Sequence, residues 1–210
     1  MNYRGINYKM KDGTEYIIRS IKPEEAAELL RLMKQTSGES LGMLRYPDDT
    51  FPSVDMEEKY LEHVMGSDNS VQIGAYVDGK LIGAAGVNCP GVGKRKVLHR
   101  CEIGLSIEKK YWDQQIGTRM IEALIELAQR VGYEQMELEV FTDNDRAIHL
   151  YKKMGFEIYG TRPNAMKLDD GTYQDEHLMV KYLKARFDAE EKATSDLEEW
   201  IEEQGIQLRY

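Results

Sequence analysis

Apolar positions along the chain switch repeatedly between a period of two and a period near 3.6, and each switch marks a predicted element. Residues 14–21 (TEYIIRSI) are rich in β-forming side chains and predict a first strand. Pro23 then stands at a helix start, with Glu24 and Glu25 in the first turn. Ala26, Leu29, Leu30 and Met33 supply that helix with an apolar face. Residues 36–51 have no clear period and are long for a connection inside a compact domain, a length typical of functional or mobile loops. A second helix is predicted over residues 53–64, where Asp55 and Glu58 have capping-box spacing with Asp55 as the cap. Residues 71–77 and 81–87 flank Asp78-Gly79 and predict a β-hairpin.

The second half is more regular. Residues 97–107 predict a strand with Cys101, Ile103, Leu105 and Ile107 on one face and Arg100, Glu102, Gly104 and Ser106 on the other. Residues 117–131 form a strong amphipathic pattern built on Met120, Ile121, Leu124, Ile125 and Ala128. Met136, Leu138 and Val140 alternate as a strand, and a helix over residues 145–154 ends at Gly155. Two last strands fall near residues 156–161 and 173–182. Beyond them Ala193, Leu197, Trp200 and Ile201 share one face of a predicted tail helix. That face packs on its own domain or on a second subunit of a homodimer.

This order of strands and helices predicts an α/β fold with a single mixed central sheet, flanked by helices on both faces. The unit over residues 101–141 is expected to be a right-handed parallel crossover. The chain divides into an N-terminal extension (residues 1–13), one domain (14–183) and an acidic C-terminal helix (184–210). It contains neither internal repeats nor low-complexity tracts.

Composition narrows the function classes. With 210 residues, 41% of them hydrophobic, the chain has apolar material for one substantial core. No apolar run approaches the ~18 residues of a membrane span, and the first thirteen residues carry no apolar segment of the signal-peptide kind. A net charge of −9 disfavours a protein that binds nucleic acid by neutralising phosphates. Cys89 and Cys101 have neither zinc nor redox spacing, and His63, His99, His149 and His177 are scattered. The expectation is free thiols in a reducing cytoplasm and no metal.

Candidate chemistry concentrates in residues 102–156, EIGLSIEKKYWDQQIGTRMIEALIELAQRVGYEQMELEVFTDNDRAIHLYKKMGF. A strand runs into a short polar loop that opens a long helix at Gly117. Such a helix start aims unpaired N–H groups and a positive dipole end at one spot, which suits an anion. A rival motif, Gly38-Glu39-Ser40-Leu41-Gly42, has the spacing of a hydrolase nucleophile elbow. It is preceded by a helical pattern instead of the strand an elbow requires.

YWDQQIGT resembles the acetyl-CoA loop of the GNAT (GCN5-related) N-acetyltransferases, and NDRAIHLYKKMGF resembles their second signature. A helix and a strand separate the two, as in that family. The resemblance implies the GNAT fold and acetyl-CoA as co-substrate. It implies that Leu105, Ser106 and Ile107 hydrogen-bond the pantetheine arm. The pyrophosphate falls to the loop amides of Gln114, Gln115, Ile116, Gly117 and Thr118. Asn144 matches a residue that contacts coenzyme A, and Tyr151 one that protonates the departing thiolate. Glu139 stands where ribosomal-protein alanine acetyltransferases of the family keep a general base, with Glu102 a second candidate. One departure is Gln115, where the family usually has glycine; its side-chain amide offers a phosphate donor instead.

The segment YGTRPNAMKLDDGTYQDEHLMVKYL is similar to bacterial GNAT enzymes that acetylate small amines, spermidine acetyltransferases included. The resemblance therefore implies acetyl transfer to a small primary amine, an amino acid or a polyamine. A protein N-terminus as acceptor and a non-catalytic acyl-CoA-binding module are the alternatives. Without the resemblance, Tyr151 is core packing beside Ile148, and Glu102 and Glu139 are solvated strand faces.

Overall fold

A computed structural model describes residues 1–91 and 93–183, so the tail helix expected over residues 184–210 lies outside the described residues. Eight strands form one sheet in the order β1-β2-β3-β4-β5-β6-β8-β7. They are β1 (Ile6–Lys9), β2 (Glu15–Ser20), β3 (Val71–Val77), β4 (Lys80–Asn88), β5 (Arg100–Ile107), β6 (Gln135–Phe141), β7 (Glu157–Lys167) and β8 (Tyr173–Tyr182). Four helices accompany them: α1 (Ala26–Glu39), α2 (Val54–Met65), α3 (Ile116–Val131) and α4 (Asp145–Lys153). The mixed α/β sheet expected from the sequence is the observed architecture.

Alternation along β4 explains why both faces carry helices. Ile82, Ala85 and Val87 point to one side, where Met120, Ile121, Leu124 and Ala128 of α3 cover them. Leu81 and Ala84 point to the other, against Leu29 and Leu32 of α1 and Leu61 of α2. Met120, Ile121 and Leu124 are fully buried, each contributing about 1.5–3 kcal/mol of hydrophobic stabilisation.

Every neighbouring strand pair is antiparallel except β5 with β6. That parallel pair is short, joining only Arg100–Glu102 to Gln135–Glu137. Past it, β5 continues along β4 to Ile107, while β6 continues along β8 to Phe141. The two strands therefore part in the middle of the sheet. That gap is the feature that positions everything below.

Several boundaries differ from the sequence reading. The sheet begins at β1, inside the expected N-terminal extension, because Ile6–Lys9 pairs antiparallel with β2. The first helix runs through residues 36–39, which lacked apolar period. Its last turn is held by polar bonds instead: Thr36 Oγ1 donates to the Leu32 carbonyl at 3.0 Å, and Gln35 Nε2 to Glu39 at 2.9 Å. The cap of α2 is Ser53, whose Oγ accepts from the Met56 amide at 3.2 Å, whereas Asp55 pairs with Lys59 at 2.8 Å. Arg95–Val97 is a 3₁₀ turn, so β5 starts three residues later than expected. β7 reaches Lys167 through two register shifts, with Asn164 left-handed at φ 52° and its amide bonded to Asp175. No helix among the described residues is long and apolar enough to cross a membrane.

Candidate active site

A cleft of about 1140 Å³ opens where β5 and β6 part. One wall is β5 from Glu102 to Ile107, and the other is β6 from Glu137 to Phe141. Beyond Glu102 the edge of β5 that faces β6 has no strand to pair with. Strand N–H and C=O groups alternate in direction, so part of the backbone of residues 103–107, the stretch that includes Leu105, Ser106 and Ile107, faces the cleft while the rest pairs with β4.

The start of α3 closes one end. Gln115 is its N-cap, with φ 66°, and Asp113 two residues earlier is also left-handed at φ 60°. The first intrahelical bond runs from the Arg119 amide to the Gln115 carbonyl at 3.1 Å. The amides of Gln115, Ile116, Gly117 and Thr118 therefore lack intrahelical acceptors and carry the positive end of the helix dipole. A Cβ at Gly117 would stand 3.0 Å from Leu150 and 3.4 Å from Leu105, so glycine lets α3, β5 and α4 converge there. Trp112 pins the loop by donating to the Ile107 carbonyl at 2.8 Å. Arg146 of α4 lies 4.0 Å above the Trp112 ring and pairs with Asp113 at 3.0 Å, which fixes its guanidinium at the same end. Free amides, a close-approach glycine and an unpaired strand edge together fit a long, phosphorylated co-substrate such as acetyl-CoA.

Gln115 carries a side chain in a conformation that glycine tolerates better, at a typical cost of about 1–2 kcal/mol. Gln115→Gly is expected to keep or slightly raise Tm, relief of strain offsetting the extra chain entropy. It should change the KM for acetyl-CoA and leave kcat within a few-fold, since this end of the cleft serves binding. Thermal melts and steady-state kinetics check this; a large kcat loss at constant cofactor KM would contradict the placement of the loop.

The opposite part of the cleft is acidic. Glu102 lies level with Glu137 across the short parallel pair. Glu137 and Glu139 share a face of β6 with Phe141, and Phe141 lies opposite Glu176 on β8. Glu102, Glu137, Glu139 and Glu176 all line the cleft. Arg100 pairs with Glu137 at 3.3 Å, and Arg162 of β7 joins Glu139 at 2.8 Å and Glu176 at 2.7 Å. Two arginines against four carboxylates leave this region negative. Glu176 is buried, and burial, reinforced by the charge of Glu139, pushes its carboxyl above the ordinary range despite Arg162.

Tyr151 and Asn144 come from α4. Tyr151 is 7% exposed, lines the cleft and packs edge-on against Phe156 with ring centroids 5.8 Å apart. Burial pushes its phenol up to about 12. Asn144 caps α4, its Oδ1 accepting from the Ala147 amide at 3.2 Å. Its Nδ2 would lie 2.6 Å from a Cβ at Gly42, so the connection after α1 passes directly over it. Ser40, Gly42, Met43, Leu44, Arg45 and Phe51, from the connection between α1 and α2, line the cleft on that side.

Among the residues singled out from sequence, Gln114 alone does not line the cleft; its Oε1 accepts from the Lys11 amide at 3.1 Å. The elbow-like Ser40 directly follows α1 and accepts from the Gly42 amide at 3.0 Å, without the strand an elbow needs. No group of three metal-ligating side chains occurs among the described residues. Glu176 and Arg162 were missed. The available signal was a glutamate in the apolar alternation Glu176, Leu178, Val180, an inward position where a charge needs a partner.

Comparison with known proteins agrees with this geometry. The family model described as Acetyltransferase (GNAT) family matches residues 37–156, more than half of the chain. The L-amino acid N-acetyltransferase AaaT of Escherichia coli K12 is 29% identical over 111 residues, covering 52% of this chain and 67% of AaaT. The N-alpha-acetyltransferase RimI of Mycobacterium tuberculosis is 28% identical over 141 residues, covering 67% and 83%. The crystal structure of a GNAT-family acetyltransferase from Streptococcus pneumoniae superposes with a TM-score of 0.76 at 29% identity, over 80% of this chain and 99% of that one. The chain belongs to the GNAT acetyltransferase family and is an acetyl-CoA-dependent N-acetyltransferase.

Proposed function

We propose that the enzyme transfers acetyl from acetyl-CoA to a primary amine, with a small amine, an amino acid or a polyamine favoured over a protein lysine. The observation that carries this reading is the polarity of one cleft. An amide-rich helix start with a fixed arginine lies at one end, and an excess of carboxylates lies at the other. The first suits the phosphates of the co-substrate, and the second attracts a cationic amine. The likeness to AaaT, named for L-amino acids, supports a small acceptor. The likeness to RimI favours a protein N-terminus as the second reading. Free Cys89 and Cys101 suit a reducing cytoplasm.

Bound acetyl-CoA supplies an activated thioester. The chain supplies position and proton traffic. The edge of β5 and the amides of residues 115–118 hold and orient the co-substrate. An acceptor with pKa about 10.4 must lose a proton before it attacks, at a cost of roughly 4.6 kcal/mol at pH 7, against about 1 for an α-amino group. In this reading a carboxylate facing the cleft takes that proton, with Glu139 and Glu102 as candidates. Tyr151, protonated at neutral pH, supplies one to the leaving sulfur.

A thiol-release screen of the purified protein with amino acids, polyamines, aminoglycosides, N-terminal peptides and lysine-containing proteins tests the proposal. Release with at least one small amine is expected. Acetylation confined to lysine-containing proteins would overturn the substrate class, and binding of acetyl-CoA without release to any acceptor would overturn the reaction.

A further inference from the structure

We propose that Glu176 is a catalytic residue whose free oxygen, Oε1, takes the proton from the acceptor ammonium, with Arg162 as its positioning residue. The inference rests on the acetyl-transfer reading above and assigns a base within the acidic part of the cleft. Three observations carry it. Glu176 is the most buried of the four glutamates in the acidic part of the cleft, its side chain 4% exposed against 50% for Glu139. Arg162 engages only its Oε2, at 2.7 Å, and no bond to Oε1 is made among the described residues. Oε1 is not sealed away without a partner either, in a residue that lines the cleft.

Arg162 lies between Glu139 and Glu176 and can neutralise only one of them. Within this trio one negative charge is left over, able to face one ammonium. Glu139 is half exposed, so water competes for any proton or ammonium that it meets. Glu176 is shielded, and a shielded carboxylate prefers the neutral form, which favours proton uptake. The groups that bear on it are Arg162 from β7 and Glu139 from β6.

Oε1 takes one proton from the ammonium and becomes a carboxylic acid. The freed nitrogen lone pair forms the C–N bond to the acetyl carbon while the C–S bond breaks. The second nitrogen proton replaces the one that Tyr151 delivers to sulfur. Glu176 then returns its proton to solvent through the cleft, for a net release of one proton.

The test compares two acceptors in the full-length enzyme. One is the alkyl amine ranked first by the thiol-release screen; the other is its aminooxy isostere, whose reacting aminooxy end is neutral at pH 7 (for 1,4-diaminobutane, 1-amino-3-(aminooxy)propane). Products are assigned by NMR to the acetylated end. Glu176→Gln keeps the shape and the bond to Arg162. It is expected to lower kcat/KM for the alkyl amine about 10²–10³-fold at pH 7, with the loss shrinking as pH rises. The aminooxy acceptor needs no deprotonation and should lose only a few-fold, with acetyl-CoA KM unchanged. If Glu176→Gln does not fold, Glu176→Asp, which withdraws the carboxylate by one methylene, is read by the same ratio. Equal losses with both acceptors would make Glu176 structural and overturn the inference. Unchanged activity with both in an active wild type would overturn it as well. A wild type that acetylates no amine overturns the acetyl-transfer reading itself.

Discussion

Tyr151→Phe is expected to lower kcat by about 10²–10⁴-fold while leaving acetyl-CoA binding intact, the range of a lost general acid. The removed oxygen has no hydrogen bond to another described side chain, and the ring contact with Phe156 does not involve it. Folding therefore loses little, and Tm should stay within a degree or two. The phenol is pushed up to about 12 by burial, so it remains a proton donor through the whole range of ordinary assays. The wild-type rate should accordingly show no alkaline fall from this group below about pH 11. Steady-state kinetics with cofactor binding measured separately distinguish the outcomes. Turnover near wild type would return Tyr151 to core packing and dismantle the assignment of the acid.

A large effect on stability is expected from Glu108→Ala. Glu108 follows β5 and is completely buried, with Arg31 of α1 and Lys80 of β4 both at 2.8 Å from its Oε1. Its backbone is fixed too: its amide bonds the Ile82 carbonyl at 2.9 Å, and its carbonyl accepts from Tyr111 at 2.9 Å. Deletion leaves two cations beside apolar strands. Because Arg31 and Lys80 are partly exposed and regain water, the loss is set at about 2–3 kcal/mol, below the usual range for a fully buried pair. For a domain of this size that lowers Tm by roughly 5–10 °C.

The effect should depend on pH. Burial alone would raise the carboxyl of Glu108, but hydrogen bonds from Lys80 and Arg31 outweigh it and hold the group below its ordinary range. A lowered folded-state value means the stabilisation is complete above the unfolded value of about 4.3 and is lost as pH falls through the folded one. The gap between wild type and Glu108→Ala in thermal melts should thus be full at pH 7 and narrow below about pH 4. Equal melting at pH 7 would show that the cluster contributes nothing net.

What was legible from the residues follows from which forces write periodic patterns. The β3–β4 turn was readable because Asp78 and Gly79 both adopt positive φ, as a two-residue hairpin demands. Helix α3 was readable because a helix covering a sheet must repeat its apolar face. β1 was not, since four mostly exposed residues at a sheet edge need no alternation. The end of α1 was hidden because its bonds are polar and its anchor is distant, Glu39 accepting from the Lys109 amide at 2.6 Å. The same holds for Glu176. Its partner Arg162 lies on another strand, and no local spacing joins the two. Arg146 shares this difficulty, since its value comes from Trp112 and Asp113, far away in sequence.

The early parting of β5 from β6 also makes the free protein a sheet with a strand left out. The edge that runs from Ile103 to Ile107 lies inside the molecule, where no neighbouring chain reaches it as readily as it would an outer strand. A ligand that hydrogen-bonds along it takes the place of the absent strand and so becomes part of the folded architecture. Binding and folding are then linked: one hundred dissociation constants of ligand add about 2.7 kcal/mol to stability. The purified enzyme is therefore expected to melt higher, and to resist added protease longer, as acetyl-CoA is raised above its dissociation constant.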